Sequence, residues 1–226
     1  MCGRYVLHSP KKDIESHYGA QFTEEGFYTP SWNIAPGSIN PVNLLGKARE
    51  PGIAPLKWGL IPSFATDENI GFKMINARSE TIEEKPSFKK SFQRKRCLIP
   101  ANGFYEWKQI EGTSKKLPFF IHLISSELFS FAGIFESWKN SDGNPVFTYS
   151  IITTQANALL QPLHERMPVI LKPAEYEFWL DPMNNNIDEL KSMLVSYPME
   201  DMRVFRVSDL VNKTANNSAE LIQPLV

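Results

Sequence analysis

Six prolines, Pro30, Pro36, Pro41, Pro51, Pro55 and Pro62, crowd a stretch of about thirty residues in this 226-residue chain. Proline lacks the amide proton that a helix needs and fixes its own φ, so this density excludes long helices there. It predicts short strands joined by rigid turns. Trp32-Asn33-Ile34-Ala35-Pro36 and Leu56-Lys57-Trp58-Gly59-Leu60-Ile61-Pro62 lie within the same region. On its own, either tryptophan reads as packing, since the indole contributes mainly buried area.

The flanking sequence fits a mixed α+β chain. Arg4 to Leu7 suggests a short strand. Ser9-Pro10 suggests an N-cap and first helical position for a helix through Ile14 to about Tyr18. Met74 to Thr81 places Asn76, Arg78 and Glu80 on one face if extended. A helix is predicted over about Glu83 to Lys95, followed by Arg96. It carries the one dense basic cluster, Lys85, Lys89, Lys90, Arg94, Lys95 and Arg96. The cluster suits a solvated helix face and phosphate contact equally. From Cys97 the pattern turns β: strands at 97–100, 103–107, 118–123, 128–135 and 146–153, with a hairpin turn at Ser141-Asp142-Gly143-Asn144. A short helix over Thr154 to about Leu160, another from Pro173, a third capped by Asn186, and a last strand from Arg203 complete the expectation. No repeat or composition break divides the chain, so the expected architecture is one α+β domain, residues 1–226.

Composition narrows the class. With 24 Lys+Arg against 25 Asp+Glu, bulk charge favours no polyanionic partner, and only a local cluster could do so. Two cysteines make neither a disulfide framework nor a four-ligand zinc site, and no metal or other cofactor is expected. Neither a secretory signal nor an apolar run of membrane-spanning length is present. The expectation is a soluble, cytoplasmic protein, nucleoid-associated if bacterial.

The residues able to do chemistry begin at Cys2. If Met1 is removed, Cys2 carries a free α-amine and a thiol, titrating near ~8 and ~8.5 in unperturbed peptides. That 1,2-pair captures aldehydes, first as an imine and then as a five-membered thiazolidine. Asn76, Glu106 and His164 are the polar partners on offer. Glu106, between Tyr105 and Trp107, is either a desolvated acid–base group or an outward-facing strand residue. His164 could donate a proton near neutral pH or tie down its loop. His122 and Cys97, in apolar strands, read as structural.

Met1-Cys2-Gly3-Arg4, Asn33-Ile34-Ala35-Pro36, Trp58-Gly59-Leu60 with Pro62, Asn76-Ala77-Arg78-Ser79-Glu80-Thr81, Gly103-Phe104-Tyr105-Glu106-Trp107 and Leu163-His164-Glu165-Arg166-Met167-Pro168 occur in this order. In that order and spacing the chain resembles the SRAP family of SOS-response-associated peptidases and abasic-site-processing proteins. The resemblance implies the SRAP fold, a β-rich, barrel-like core of short strands flanked by helices. It also implies covalent crosslinking of Cys2 to abasic sites in single-stranded DNA, with possible self-removal of Met1 and lyase-like release. Under it, Asn76 holds the reacting N-terminus, Glu106 moves protons and His164 assists opening of the deoxyribose. Arg4, Arg78 and Arg166 would grip phosphates, and Asn33, Trp58, Phe64, Phe72 and Met167 would also contact DNA, the aromatics by stacking on bases. Phe64 stands where relatives often carry tryptophan, and Asn102 replaces a common acidic residue. A monomer is expected. The competing readings are a thiol peptidase acting on other proteins, through Cys2 and His164, and a non-covalent reader of single-stranded or modified DNA.

Overall fold

The computed structural model describes residues 2–46 and 48–225. The proline-rich part forms short strands: β1 (Tyr5–Leu7), β2 (Gln21–Phe22), β3 (Ser31–Ile34), β4 (Ile39–Leu45) and β5 (Pro51–Trp58), with helix α1 (Lys11–Tyr18) after β1. Then follow β6 (Asn76–Arg78), α2 (Pro86–Arg94), β7 (Arg96–Ala101), β8 (Gly103–Gln109), β9 (Lys116–Leu123), β10 (Phe129–Lys139) and β11 (Pro145–Gln155). The last third holds β12 (Arg166–Pro168), β13 (Ile170–Leu171), α3 (Tyr176–Leu180), α4 (Ile187–Ser192) and β14 (Met202–Arg206).

One sheet runs β14-β9-β8-β1-β3. The other runs β12-β11-β10-β7-β4-β5-β2, with β13 on β10 and β6 on β11. Tyr5, Leu7, Phe104 and Ile121 of the first sheet meet Val42, Ile99, Phe131 and Ile151 of the second in one buried cluster. The outcome is the α+β, barrel-like core expected from the sequence. Strand β7 is buried along its whole length because α2 and α3 cover its far face, where Leu98 packs with Phe92 and Trp179. Two covered faces explain why its sequence after Arg96 is continuously apolar rather than alternating. No described helix is long and apolar enough to cross a membrane.

Several expectations at element ends are corrected. Ser9 does not cap α1; Pro10 occupies the N-cap without a side-chain bond. The Ser9 hydroxyl instead accepts from Asn102 Nδ2 at 2.8 Å, while Asn102 Oδ1 accepts the amides of His8 and Ser9 at 2.7 and 3.1 Å. A neutral amide thus supplies both donor and acceptor there, which a carboxylate could not. The helix expected over residues 154–160 is absent. Strand β11 continues to Gln155 because that residue pairs with Arg166, and a turn capped by Asn157 Oδ1 follows. Helix α2 starts only at Pro86, whose missing amide proton suits the first helical position.

The Trp58-Gly59-Leu60 signature has a steric cause. Gly59 sits at φ 117°, and a Cβ there would lie 2.6 Å from the Gly71 carbonyl oxygen. A Cβ on Gly71 would in turn lie 2.8 Å from the Gly59 carbonyl. Two backbones in direct contact anchor the segment that carries Phe64 and Phe72 to the end of β5. Gly59→Ala is expected to lose roughly 1–3 kcal/mol through this strain. Urea unfolding checks it, and an unchanged midpoint would show that the segment simply moves aside.

Candidate active site

Residues 2–4 form an arm leading into β1, which lies between β8 and β3. Cys2 is fully buried in the cluster shared by the two sheets. Its carbonyl oxygen accepts from Asn76 Nδ2 at 2.9 Å, joining the arm to the first residue of β6. Asn76 Oδ1 is buried without a hydrogen-bond partner among the described residues.

Register determines where Glu106 points. Tyr5 and Phe104 are opposite partners in β1 and β8 and both face the core, so Glu106, two residues beyond Phe104, faces inward as well. It is 3% exposed, which decides against the outward-facing reading. Tyr105, on the other face, donates its amide to the Arg4 carbonyl at 3.0 Å and packs in a separate cluster with Val6 and Phe120.

His164 lies on the turn between β11 and β12, and its Nδ1 accepts the Arg166 amide at 2.9 Å. With Nδ1 accepting, the proton of the neutral ring sits on Nε2. Burial lowers the His164 pKa while the Glu106 carboxylate opposes that shift. Burial likewise pushes the Cys2 thiol far above the ordinary thiol range, and the same carboxylate adds to it. Cys2, Glu106 and His164 therefore share one electrostatic environment, with Asn76 bonded to its edge. The expectation of a thiol titrating near neutrality is corrected: inside the core it is held as the neutral S–H. Met1, whose removal the chemistry requires, lies outside the described residues.

The expected DNA-contacting residues divide into two groups. Phe64 and Phe72 are 65% and 59% exposed, and Arg78 projects from β6 into solvent. Asn33, Trp58, Arg166 and Met167 are buried, their side chains turned to partners within the protein. Trp58 lies against Tyr5 and Tyr149, ring centroids 5.2 and 6.3 Å away, and donates Nε1 to the Ile75 carbonyl at 2.9 Å. Met167 fills the shared core. Arg166 holds Glu80 through both terminal nitrogens, at 2.6 and 2.9 Å, and also reaches the Thr153 carbonyl. Asn33 Nδ2 contacts the carbonyls of Val211, Lys213 and Asn216, at 3.3, 3.1 and 2.8 Å, while its Oδ1 accepts from Arg4 at 2.6 Å. Arg4 also lies over Trp107, 5.8 Å from the ring centroid.

Sequence reasoning missed two partners. Glu80 was visible on the same face as Asn76 and Arg78, but nothing local pointed to Arg166, 86 residues away. The tail around Val211 to Asn216 carries no motif, yet it clasps both Asn33 and Arg4, whose Nη1 donates to the Val211 carbonyl at 3.0 Å. The basic cluster also thins out: Arg96 is buried, Lys95 pairs with Glu136, and Arg94 donates to the Pro182 carbonyl at 2.8 Å. Lys85, Lys89 and Lys90 remain exposed. Among the described residues, no group of His, Cys, Asp and Glu is arranged to hold a metal ion.

A family model described as SOS response associated peptidase (SRAP) matches residues 1–214. The abasic site processing protein YoqW of Bacillus subtilis (strain 168) is 48% identical over 224 residues, covering 99% of each chain. The abasic site processing protein HMCES of Rattus norvegicus is 30% identical over 270 residues, covering 99% of this chain and 76% of that one. Among solved structures, a protein from Bacteroides thetaiotaomicron superposes with a TM-score of 0.90 at 27% identity, over the whole of both chains.

Proposed function

From a chain that belongs to the SOS response associated peptidase (SRAP) family, alongside proteins named for abasic site processing, we propose a covalent reaction with abasic sites. Once Met1 is removed, the Cys2 α-amine adds to the open-chain aldehyde of an abasic site in single-stranded DNA and loses water to form an imine. The Cys2 thiol then adds to the imine carbon, closing a thiazolidine that shields the lesion. The observation that carries this reading is the convergence of Cys2, Asn76, Glu106 and His164 from four separate segments.

The geometry suggests a division of labour. Asn76 fixes the Cys2 carbonyl through Nδ2, leaving its buried Oδ1 to accept from the freed amine. The thiol, held neutral, acts second and gives its proton to a nearby base; Glu106 is the carboxylate its environment provides. The Nε2–H of His164 is the donor for the sugar oxygen as the ring opens. Arg78 meets the DNA backbone from the surface, whereas Arg166 acts from within, fixing His164 by its amide and Glu80 by its guanidinium. Arg4 is steadied in turn by Asn33. Phe64 and Phe72 stack on unpaired bases. A peptidase acting through a Cys2 thiolate fits less well, because burial disfavours that thiolate. On the same reading the chain is one monomeric domain acting in the cytoplasm or nucleoid.

The direct test is incubation with single-stranded DNA carrying one abasic site, followed by a denaturing gel. A heat-stable adduct is expected, and its absence from Met1-processed protein would end the proposal. Phe64→Ala or Phe72→Ala should weaken DNA binding by about 1–3 kcal/mol each, read as a five- to 150-fold rise in Kd. An unchanged Kd for both would remove the stacking role. The pH profile follows from His164. Its folded pKa is depressed, so the ring is neutral above the ordinary histidine value and protonates only as pH falls through the lower folded value. Protonation places a hydrogen on Nδ1 and breaks the bond from the Arg166 amide. The adduct-forming rate should therefore hold through the ordinary histidine range and fall only at the lower pH where the folded ring protonates, with one fewer ionisation in the profile of His164→Ala. Identical acid limbs in the two proteins would assign that ionisation elsewhere.

A further inference from the structure

A second site lies on the opposite side of the larger sheet from Cys2. Val42 of β4 and Ile99 of β7 point into the cluster that contains Cys2, so their neighbours Asn43 and Leu98 face the other way. There Asn43 and Leu98 form the floor of a cleft of about 1030 Å³. The end of α1 supplies one wall through His17 and Tyr18, and α3 supplies the other through Tyr176 and Phe178. The mouth is bridged by Arg49 Nη2 and Asp181 Oδ1, 2.6 Å apart.

Three features define what such a cleft would hold. Asn43 is 1% exposed, and its Nδ2 has no hydrogen-bond partner among the described residues. A buried amide left unsatisfied is destabilising, so the site lacks a polar partner that a ligand could supply. An asparagine amide presents a donor and an acceptor side by side, the pattern that matches the edge of a nucleobase. Tyr18 and Tyr176 lie 5.8 Å apart with their ring planes tilted by 36°, and His17 meets Tyr18 edge-on, so the wall is an aromatic cluster rather than one flat face, and a planar ring can contact it. Finally, among the described residues the lining carries two carboxylates, Glu177 and Asp181, against Arg49, which Asp181 already engages. That balance disfavours a phosphate.

We propose that this cleft binds a neutral nucleobase or nucleoside, its ring on the tyrosines and its amide-like edge on Asn43. The site stands independently of Cys2 chemistry. The test titrates adenosine, thymidine and their 5′-monophosphates into the full chain, read by calorimetry and ligand-observed NMR. At least one nucleoside should saturate a single site, with its monophosphate at least fivefold weaker. Asn43→Leu should raise Kd tenfold or more, and Cys2→Ala should leave it unchanged. Should Asn43→Leu fail to fold, Ala174→Trp replaces an exposed lining residue and fills the cleft from its rim, with at least a fivefold loss expected. The proposal is overturned if no nucleoside saturates, if the monophosphates bind as tightly, or if the cleft variants bind as wild type. Competition by single-stranded DNA in wild type but not in Cys2→Ala would also overturn it, because the nucleoside would then occupy the first site.

Discussion

Cys2→Ala is expected to abolish the heat-stable adduct with abasic DNA while leaving the fold intact. Alanine after the initiator is still small enough for Met1 to be trimmed, so the variant keeps the α-amine and loses only the sulfur. It should therefore form the imine but not the ring. The imine is reversible and disappears on heating unless reduced by borohydride. Wild type should give an adduct with or without reductant, and the variant only with it. Loss of the thiol from a tight core removes little volume, so unfolding should shift by about 1 kcal/mol or less. A heat-stable adduct from Cys2→Ala without reductant would refute the thiazolidine as the source of the stable bond. A variant that binds DNA normally but forms no borohydride-trapped species would place the amine, rather than the thiol, in question.

Arg96→Met should be the most destabilising single substitution considered. The Arg96 guanidinium lies where α2 and α3 end, and donates to the carbonyls of Trp179 at 2.6 Å, Phe92 at 2.8 Å and Gln93 at 2.7 Å. It also reaches the carbonyls of Asp181 and Asn184. These are the orphan acceptors of two helix C-termini, and a cation there is favoured by both helix dipoles. Burial lowers its pKa to about 10, so it remains charged at neutral pH. Methionine would fill the space and leave several buried carbonyls unpaired, at an expected loss of about 3–5 kcal/mol. Lysine should rescue little, since one ammonium cannot span carbonyls that the planar fork reaches together. Urea unfolding of the three proteins decides it, and a loss below about 1 kcal/mol would mean that water takes over the carbonyls.

Arg96 also shows where sequence reading reaches its limit. Adjacency to Lys89, Lys90 and Arg94 placed it on a basic helix face, but β7 begins at Arg96 itself and both faces of that strand are covered. Local elements were largely visible: the alternation at Asn76, the hairpin before Val146 and the Asn186 cap of α4 all appear. The four converging positions could be named because their motifs carry them. What sequence could not show is which side chains a distant strand would cover. Trp58, Met167 and Arg166 belong to signatures that face the site, yet their side chains are held by Tyr149, the shared core and Glu80. Pairings spanning 86 residues, as between Glu80 and Arg166, leave no trace in spacing or periodicity.

The burial of Cys2 has a consequence in time as well as in space. Strand β1 is among the earliest parts of the chain to be made, but its partner β8 lies about a hundred residues later, and β6 must pair in parallel with β11. Non-local and parallel pairings of this kind form slowly, because loop closure precedes the contacts that reward it. Throughout that interval the N-terminal thiol is solvated and titrates near ~8.5. If Met1 is trimmed before β8 pairs, the Cys2 amine and thiol both stay open to solvent until folding buries them.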